Sequence, residues 1–225
     1  MSPVVKICGL RTVEALDAAL AAGADMVGFV RFTASPRHLA LKEGRRLSER
    51  ARGKALRVAL VVDADDAALA AAVDALDPDL LQLHGAETPE RVAAVRARFG
   101  RPVMKAVGVA EPEDVAAVAA YRAVTDRLLL DAKPPRGGAG LPGGNGLAFD
   151  WRLIAGLDLS EAVMLSGGLN SGNVGAAIAL TGVRAVDVSS GVESRPGEKD
   201  PSRIEAFVKA ARAAWAAAPE KDRVP

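Results

Sequence analysis

Eight short apolar runs alternate with alanine-rich amphipathic stretches along the chain of 225 residues, and this alternation limits the possible folds more than any other feature. The continuous run Leu128–Leu130 is typical of a parallel strand buried on both faces. The stretches between the runs have the apolar spacing of helices that pack against a sheet. Strands are predicted at Val4–Cys8, Met26–Val30, Leu56–Val62, Leu80–Leu83, Val103–Val107, Leu128–Asp131, Val163–Leu165 and Ala185–Val188.

The strand–helix unit recurs about every 28 residues, which is close to the spacing of an eightfold barrel. The alternative is an open doubly wound sheet, which would carry a G-x-G-x-x-G turn after its first strand. No such turn follows Val4–Cys8, so the sequence predicts an α/β protein with one (β/α)8 TIM barrel over residues 1–218. A Gly/Pro-rich loop, 133–147, leads to a sixth helix predicted at Phe149–Leu157, and the polar tail 219–225 is expected to fray.

Composition and charge exclude several kinds of partner. The formal net charge is +1 and 4% of the residues are aromatic, so we expect no nucleic acid, which needs a basic surface and stacking rings. The longest apolar runs are far shorter than the roughly 18 residues of a membrane helix, so we expect no membrane partner. The single cysteine can form no internal disulfide, which favours a reducing compartment such as the cytoplasm. No Cys/His cluster has the spacing of metal ligands, so no metal is expected, and the chain is compatible with a monomer or a homodimer.

Polar residues at the carboxyl ends of the strands are unusual in such a barrel, and enzymes with this fold keep their active sites on that face. Because side chains alternate along a strand, Lys6 and Cys8 are predicted to point into the barrel, with Cys8 at its mouth. The candidates at the strand ends are Cys8, His84, Lys105, Asp131, Ser166 and Asp187.

These candidates have structural as well as functional interpretations. Cys8 is either a small buried apolar residue or a reactive thiol at the mouth. Asp131 is either a helix cap or ion-pair partner, or a catalytic carboxyl, and the segment Lys133–Pro135 after it does not begin a helix, which disfavours a cap. His84 is expected to line the site without transferring a proton. Arg37 is either a solvated surface residue or a two-pronged ligand for a carboxylate.

Two loops that contain glycine and serine predict a phosphate site. The loops after strands seven and eight usually build the phosphate site of this barrel. Their candidate residues are Gly167, Gly168, Asp187, Ser189, Ser190 and Gly191. Since neither 166–170 nor 187–193 contains Lys or Arg, we expect backbone N–H groups and a short helix near Ser189–Glu193 to bind the anion. Ordinary tight turns are the alternative interpretation.

The candidates belong to an ordered set of motifs that is similar to one protein family. The motifs are Val5–Leu10, Ser35–Arg37, Leu81–Gly85, Leu130–Asp131, Gly143–Gly146 with Phe149–Trp151, Gly167–Leu169, and Asp187–Glu193 with Gly197–Asp200. Through them the chain resembles the phosphoribosylanthranilate isomerases of tryptophan biosynthesis over nearly its whole length. Asn145 stands where that family usually has Thr or Ser, and Ser166 where it often has Ala.

The resemblance implies an Amadori rearrangement, in which N-(5-phospho-β-D-ribosyl)anthranilate becomes 1-(2-carboxyphenylamino)-1-deoxy-D-ribulose 5-phosphate. It further implies that Asp131 is the general acid, that Cys8 is the general base, and that Arg37 contacts the anthranilate carboxylate. The two loops described above would hold the phosphate, and no cofactor is implied.

Two other kinds of function stay open. Another phosphate-binding barrel enzyme, such as indole-glycerol-phosphate synthase, needs catalytic Lys and Glu positions that these motifs do not contain, and histidine-pathway isomerases have Asp rather than Cys after the first strand. A phosphosugar-binding protein without catalysis is the alternative of a different class, and the presence of both Cys8 and Asp131 disfavours it.

Overall fold

The structure, a computed structural model, describes residues 2–133, 143–144, 146, 148–155 and 162–218. Eight parallel strands close into a barrel in sequence order, with the last strand paired to the first. The strands are β1 (Val4–Cys8), β2 (Met26–Val30), β3 (Leu56–Val61), β4 (Leu80–Leu83), β5 (Val103–Val109), β6 (Arg127–Ala132), β7 (Val163–Leu165) and β8 (Ala185–Val188). The predicted (β/α)8 barrel is therefore confirmed.

Helices lie between the strands, and their first turns explain where they begin. Thr12 and Thr88 accept hydrogen bonds from backbone N–H groups three residues further on, at 3.1 and 3.3 Å. Pro89 opens its helix at a position where the missing N–H is not needed. The helices are α1 (Val13–Ala21), α2 (Leu41–Ala51), α3 (Asp66–Leu76), α4 (Pro89–Phe99), α5 (Pro112–Arg122), α6 (Val174–Thr181) and α7 (Pro201–Ala217).

The prediction of a helix at Phe149–Leu157 was wrong for the residues that the structure describes. Trp151–Leu153 form a single turn of 3-10 helix. The carboxylate of Asp150 accepts the backbone N–H of Arg152 at 3.0 Å and also bonds its side chain at 2.9 Å, so local bonds close one turn in place of a longer helix. Asn145, residues 156–157 and the tail 219–225 lie outside the described residues.

Side chains alternate between the inside of the barrel and the layer of helices, as the strand pattern predicts. Val5 and Ile7 pack in the core between strands and helices, whereas Lys6 and Cys8 lie on the inner face. The inner layer deeper in the barrel is apolar and consists of Met26, Val58, Leu80, Met104, Ala106, Leu129, Met164 and Ala185. The polar mouth of the barrel therefore rests on an apolar floor.

Lys105, on β5, fixes the loop that follows β4. Its ammonium donates to the carbonyl of Gly85 at 2.6 Å and to the carboxylate of Glu87 at 2.9 Å. The side chains of Lys105 and Glu87 are 3% and 4% exposed, so this is a buried ion pair. Lys105 is thus committed to the loop that carries His84, and its bonds to described residues do not include one to Asp131.

Lys105→Met is expected to lower the free energy of unfolding by about 3–5 kcal/mol, because Glu87 is left charged and buried without its cation. Lys133→Met is the matched control: the Lys133 side chain is 49% exposed in its pair with Asp114, and its loss is expected to cost less than about 1 kcal/mol. Urea unfolding followed by tryptophan fluorescence measures both variants. Equal losses would show that the Lys105 pair does not hold the loop.

Candidate active site

One opening at the carboxyl ends of the strands is lined by most of the predicted site residues. One side, which we call the apolar end, is lined by Val30, Phe32, Leu60 and Val62, and Cys8, Arg37 and His84 lie around them. The other side, which we call the anion end, is formed by the loops after β7 and β8 and is lined by Gly167, Gly168, Leu169, Val188 and Ser190. The residues that line both ends are Asp131, Gly144, Ser166, Asp187 and Ser189.

Cys8 is the last residue of β1 and is 3% exposed. Gly28 on the neighbouring strand leaves space for it, because a Cβ at that position would lie 2.8 Å from the sulfur. Burial raises the pKa of the Cys8 thiol; Lys6 opposes that shift, Asp187 adds to it and Lys199 opposes it. Cys8 is therefore a buried thiol whose deprotonation two lysines favour.

A buried ion pair, Lys6 with Asp187, lies deeper in the barrel than Cys8. The ammonium of Lys6 donates to one oxygen of Asp187 at 2.8 Å, and the hydroxyl of Ser166 donates to the other at 3.1 Å. Burial alone would lower the pKa of Lys6, but the charges of Asp187 and Cys8 outweigh it and raise the pKa. The pair therefore keeps a protonated lysine beside the thiol and fixes Asp187 in the wall shared by both ends.

Asp131, near the end of β6, is hydrogen bonded to His84. Nε2 of His84 lies 3.1 Å from Oδ2 of Asp131, and Nδ1 lies 2.9 Å from the amide nitrogen of Gln82. When that amide donates to Nδ1, the ring carries its proton on Nε2 and directs it at the carboxyl group. Gln82 is fully buried, and its carbonyl oxygen has no partner among the described residues. His84 thus lies in the site as a group that orients Asp131.

Arg37, in the loop after β2, is 5% exposed, which excludes its interpretation as a surface residue. Its Nε and Nη2 atoms both donate to the carboxylate of Glu193, at 2.8 Å each. A protein carboxylate therefore already occupies one two-pronged edge of the guanidinium. Nη1, which donates to no acceptor in the described chain, is the nitrogen left for a ligand.

The anion end depends on close contact between two loops. Gly167 and Gly168 have φ angles of +84° and +62°, in the left-handed region that favours glycine. At Gly191, a Cβ would overlap the carbonyl oxygen of Leu169, so the loop after β8 approaches the loop after β7 too closely for a side chain. Gly191 lies within a turn of 3-10 helix, Ser190–Val192, where the sequence predicts a short helix near Ser189–Glu193.

Four further polar residues belong to the site although the sequence analysis assigns them no role: Gln82, Lys133, Glu193 and Lys199. Lys133 follows Asp131 by two positions, and strand alternation was an available signal that both lie on one face. Lys199 lies ten residues after Ser189 and returns to it through a hairpin, as a bond between them shows. No local pattern reveals such a return.

In the described part of the chain, no group of three or more His, Cys, Asp or Glu residues is arranged to hold a metal ion. None of the helices within the described ranges has the length and apolar character needed to cross a membrane.

Comparison with known sequences identifies the family. The profile of the family described as N-(5'phosphoribosyl)anthranilate (PRA) isomerase matches residues 5–210. The chain belongs to this family. A relative of the same name from Azorhizobium caulinodans is 60% identical over 217 residues, which cover 96% of this chain and 95% of the relative. Another from Rhizobium meliloti is 56% identical over 216 residues, which cover 96% of this chain and all 100% of the relative.

Solved structures of PRA isomerases have the same fold. Phosphoribosyl anthranilate isomerase from Thermotoga maritima superimposes with a TM-score of 0.83 at 36% identity and covers 95% of this chain and 100% of its own. A PRA isomerase in complex with reduced 1-(o-carboxyphenylamino)-1-deoxyribulose 5-phosphate superimposes with a TM-score of 0.81 at 34% identity, with the same coverage of 95% and 100%. The chain is thus an isomerase of tryptophan biosynthesis with a TIM-barrel fold.

The rate of Cys8 alkylation is expected to keep rising to a higher pH than the rate for a free cysteine, because burial raises the pKa of the thiol and the thiolate is the reactive form. Iodoacetamide is the reagent, and N-acetylcysteine in the same buffers is the control. Because the chain has one cysteine, the mass of the intact protein follows the reaction directly. A rate that stays constant between about pH 6 and pH 8 would show a preformed thiolate and contradict the raised pKa.

Proposed function

We propose that this chain catalyses the Amadori rearrangement of N-(5-phospho-β-D-ribosyl)anthranilate to 1-(2-carboxyphenylamino)-1-deoxy-D-ribulose 5-phosphate, with Asp131 as general acid and Cys8 as general base. The observation that carries the proposal is that both side chains line one opening whose two ends differ in chemistry. The apolar end, with Arg37 beside it, suits a benzoate ring. The anion end suits a phosphate.

The substrate then spans the opening, with its ribose between the two ends. The aromatic ring would pack against Phe32 and Leu60, and its carboxylate would accept from Nη1 of Arg37. The phosphate would accept from backbone N–H groups of the loops after β7 and β8. The related PRA isomerase that binds the reduced product analogue supports a ligand of this chemistry.

Asp131 acts in the opening of the furanose ring. Its carboxyl group donates a proton to the ring oxygen, the nitrogen lone pair forms a C=N bond with C1, and the bond between C1 and the ring oxygen breaks. His84, 3.1 Å from the carboxyl group, holds it in place. The carboxylate that remains accepts the backbone N–H of Ala132 at 2.9 Å, which stabilises its charge.

Cys8 acts in the step that follows. Its thiolate takes the proton from C2 of the imine, and the electron pair forms the C1=C2 bond of an enol amine. The Cys8 thiol returns its proton to C1 and the Asp131 carboxylate takes the proton of the C2 hydroxyl, which yields the ketone, restores both groups and leaves substrate and product as isomers. Burial raises the pKa of the Cys8 thiol, and Lys6 and Lys199 oppose that rise and so favour the thiolate that this step needs. Because Cys8 must remain reduced, we place the enzyme in the cytoplasm.

Cys8→Ala and Asp131→Asn are each expected to lower kcat by about 10²–10⁴-fold with little change in KM, because each removes one proton transfer. The loss of anthranilate fluorescence from freshly made substrate measures turnover. Ser194→Ala is the control, because this exposed hydroxyl bonds only the carbonyl of Glu198 in the described chain. A folded wild-type protein that does not exceed the uncatalysed rate would refute the proposed function. Near-normal turnover by Cys8→Ala would refute the assigned base alone.

Inorganic sulfate is expected to inhibit competitively against the substrate, because a small anion fits the donors that would hold its phosphate. A crystal soaked in sulfate should show the ion between the loops after β7 and β8. An inhibition experiment is preferred to a substitution at Gly168. The φ angle of Gly168 is +62°, so any side chain there would strain the backbone as well as block the anion. Noncompetitive inhibition, with the sulfate bound outside the opening, would contradict the phosphate site.

A further inference from the structure

A buried cluster of three charges joins a hairpin to the loop after β2. The hairpin consists of β9 (Glu193–Arg195) and β10 (Glu198–Lys199), and Glu193 pairs with Lys199 across it. Glu193 accepts two bonds from Arg37 at 2.8 Å and one from Lys199 at 2.6 Å. The side chains of Arg37, Glu193 and Lys199 are 6%, 4% and 1% exposed, so solvent screens these charges little.

The bonds of the cluster decide which way the guanidinium of Arg37 faces. Its Nε and Nη2 atoms bind Glu193, and Nη2 also donates to the carbonyl of Gly144 at 3.2 Å. Gly144 packs so closely that a Cβ there would overlap Nη1. Arg37 lines the apolar end of the opening, and Nη1 is its one nitrogen with no acceptor in the described chain. Among the described residues, Nη1 is therefore the donor of the guanidinium that is left for a ligand.

Lys199 determines the net charge of the cluster. It donates to Glu193 and to the carbonyl and hydroxyl oxygens of Ser189, at 3.0 and 3.2 Å. Burial lowers the pKa of Lys199, but three acceptors surround Nζ and only an ammonium group has three N–H donors to meet them. Burial would raise the pKa of Glu193, but Arg37 and Lys199 hold it below its usual value. Two cations and one anion thus leave a single positive charge.

We propose that Glu193 is the positioning residue that directs Nη1 of Arg37 at the carboxylate of the substrate, and that Lys199 preserves the positive charge which that carboxylate meets. This inference deepens the proposed function and rests on it, since it takes Arg37 as the ligand of the anthranilate carboxylate. Neither residue touches the reacting atoms, and in recognition of the carboxylate both act through Arg37.

The physical reason is a balance between orientation and charge. Glu193 holds Arg37 in one rotamer before the substrate arrives, so binding loses less side-chain freedom. The same carboxylate would cancel the charge of Arg37 and weaken its attraction for a second carboxylate. Lys199 removes this conflict by adding a second cation, which binds the same oxygen of Glu193 as Nε of Arg37. The cluster therefore selects aromatic ligands that carry a carboxylate.

The test measures the Kd of two inert ligands: the reduced product analogue, and the same molecule with a phenyl ring in place of the carboxyphenyl ring. Arg37→Ala calibrates the pair and is expected to weaken the carboxylated ligand alone by about 10–100-fold. Glu193→Asp keeps the charge but withdraws it by one methylene, and Lys199→Met removes the cation. Each is expected to weaken the carboxylated ligand by about 10-fold and the phenyl ligand by less than about twofold.

Glu198→Asp is the matched control, because Glu198 belongs to the same hairpin but is exposed and pairs with Arg195. Both ligands should bind this variant as they bind the wild type. Unchanged binding of the phenyl ligand also shows that a variant is folded. If Glu193→Asp does not fold, Lys199→Met decides the inference alone.

Equal weakening of both ligands by Glu193→Asp and Lys199→Met would reveal a merely structural role and overturn the inference, as would the absence of any loss. If Arg37→Ala itself does not distinguish the two ligands, the carboxylate site of the proposed function is wrong, and the inference fails with it. The Arg37→Ala result therefore separates the two failures.

Discussion

The buried ion pair between Lys6 and Asp187 is the interaction on which the site depends. The two residues are register partners where β1 meets β8, so their 2.8 Å bond lies at the seam that closes the barrel. Removing two charges from water is costly, and such a pair contributes little to net stability. Its effect is local, because the ammonium group favours the thiolate of Cys8 and the carboxylate is held in the wall between the apolar and anion ends.

Closure of the barrel brings groups that are far apart in the sequence to one opening. Parallel strands all end on the same face, so Cys8 on β1 and Asp131 on β6 line the same cavity. The apolar and anion ends separate recognition of a ring from recognition of a phosphate, and the sugar is left between acid and base. Lys105 also lies at the end of a strand, but Glu87 binds its ammonium group and holds it at the loop after β4.

Local patterns predicted the barrel because strand periodicity depends on neighbouring residues. The alternation within Val4–Cys8 was enough to place Cys8 at the mouth. Such patterns do not predict contacts between residues that are distant in the sequence. Nothing near Arg37 indicates that its guanidinium binds Glu193, 156 positions later. The prediction of a helix at Phe149–Leu157 was wrong for a different reason. Apolar spacing does not show that the Asp150 side chain bonds the backbone N–H of Arg152 and closes a short turn in place of a helix.

A crystal structure of this chain with the reduced product analogue tests most directly the claim that one opening holds the sugar between an acid and a base. We predict that C2 of the ribulose lies within about 4 Å of the sulfur of Cys8, and that the hydroxyl derived from the ring oxygen lies about 3 Å from the carboxyl group of Asp131. The carboxyphenyl ring should occupy the apolar end and the phosphate the anion end. A ligand bound in the reverse direction, or with C2 remote from Cys8, would contradict the claim.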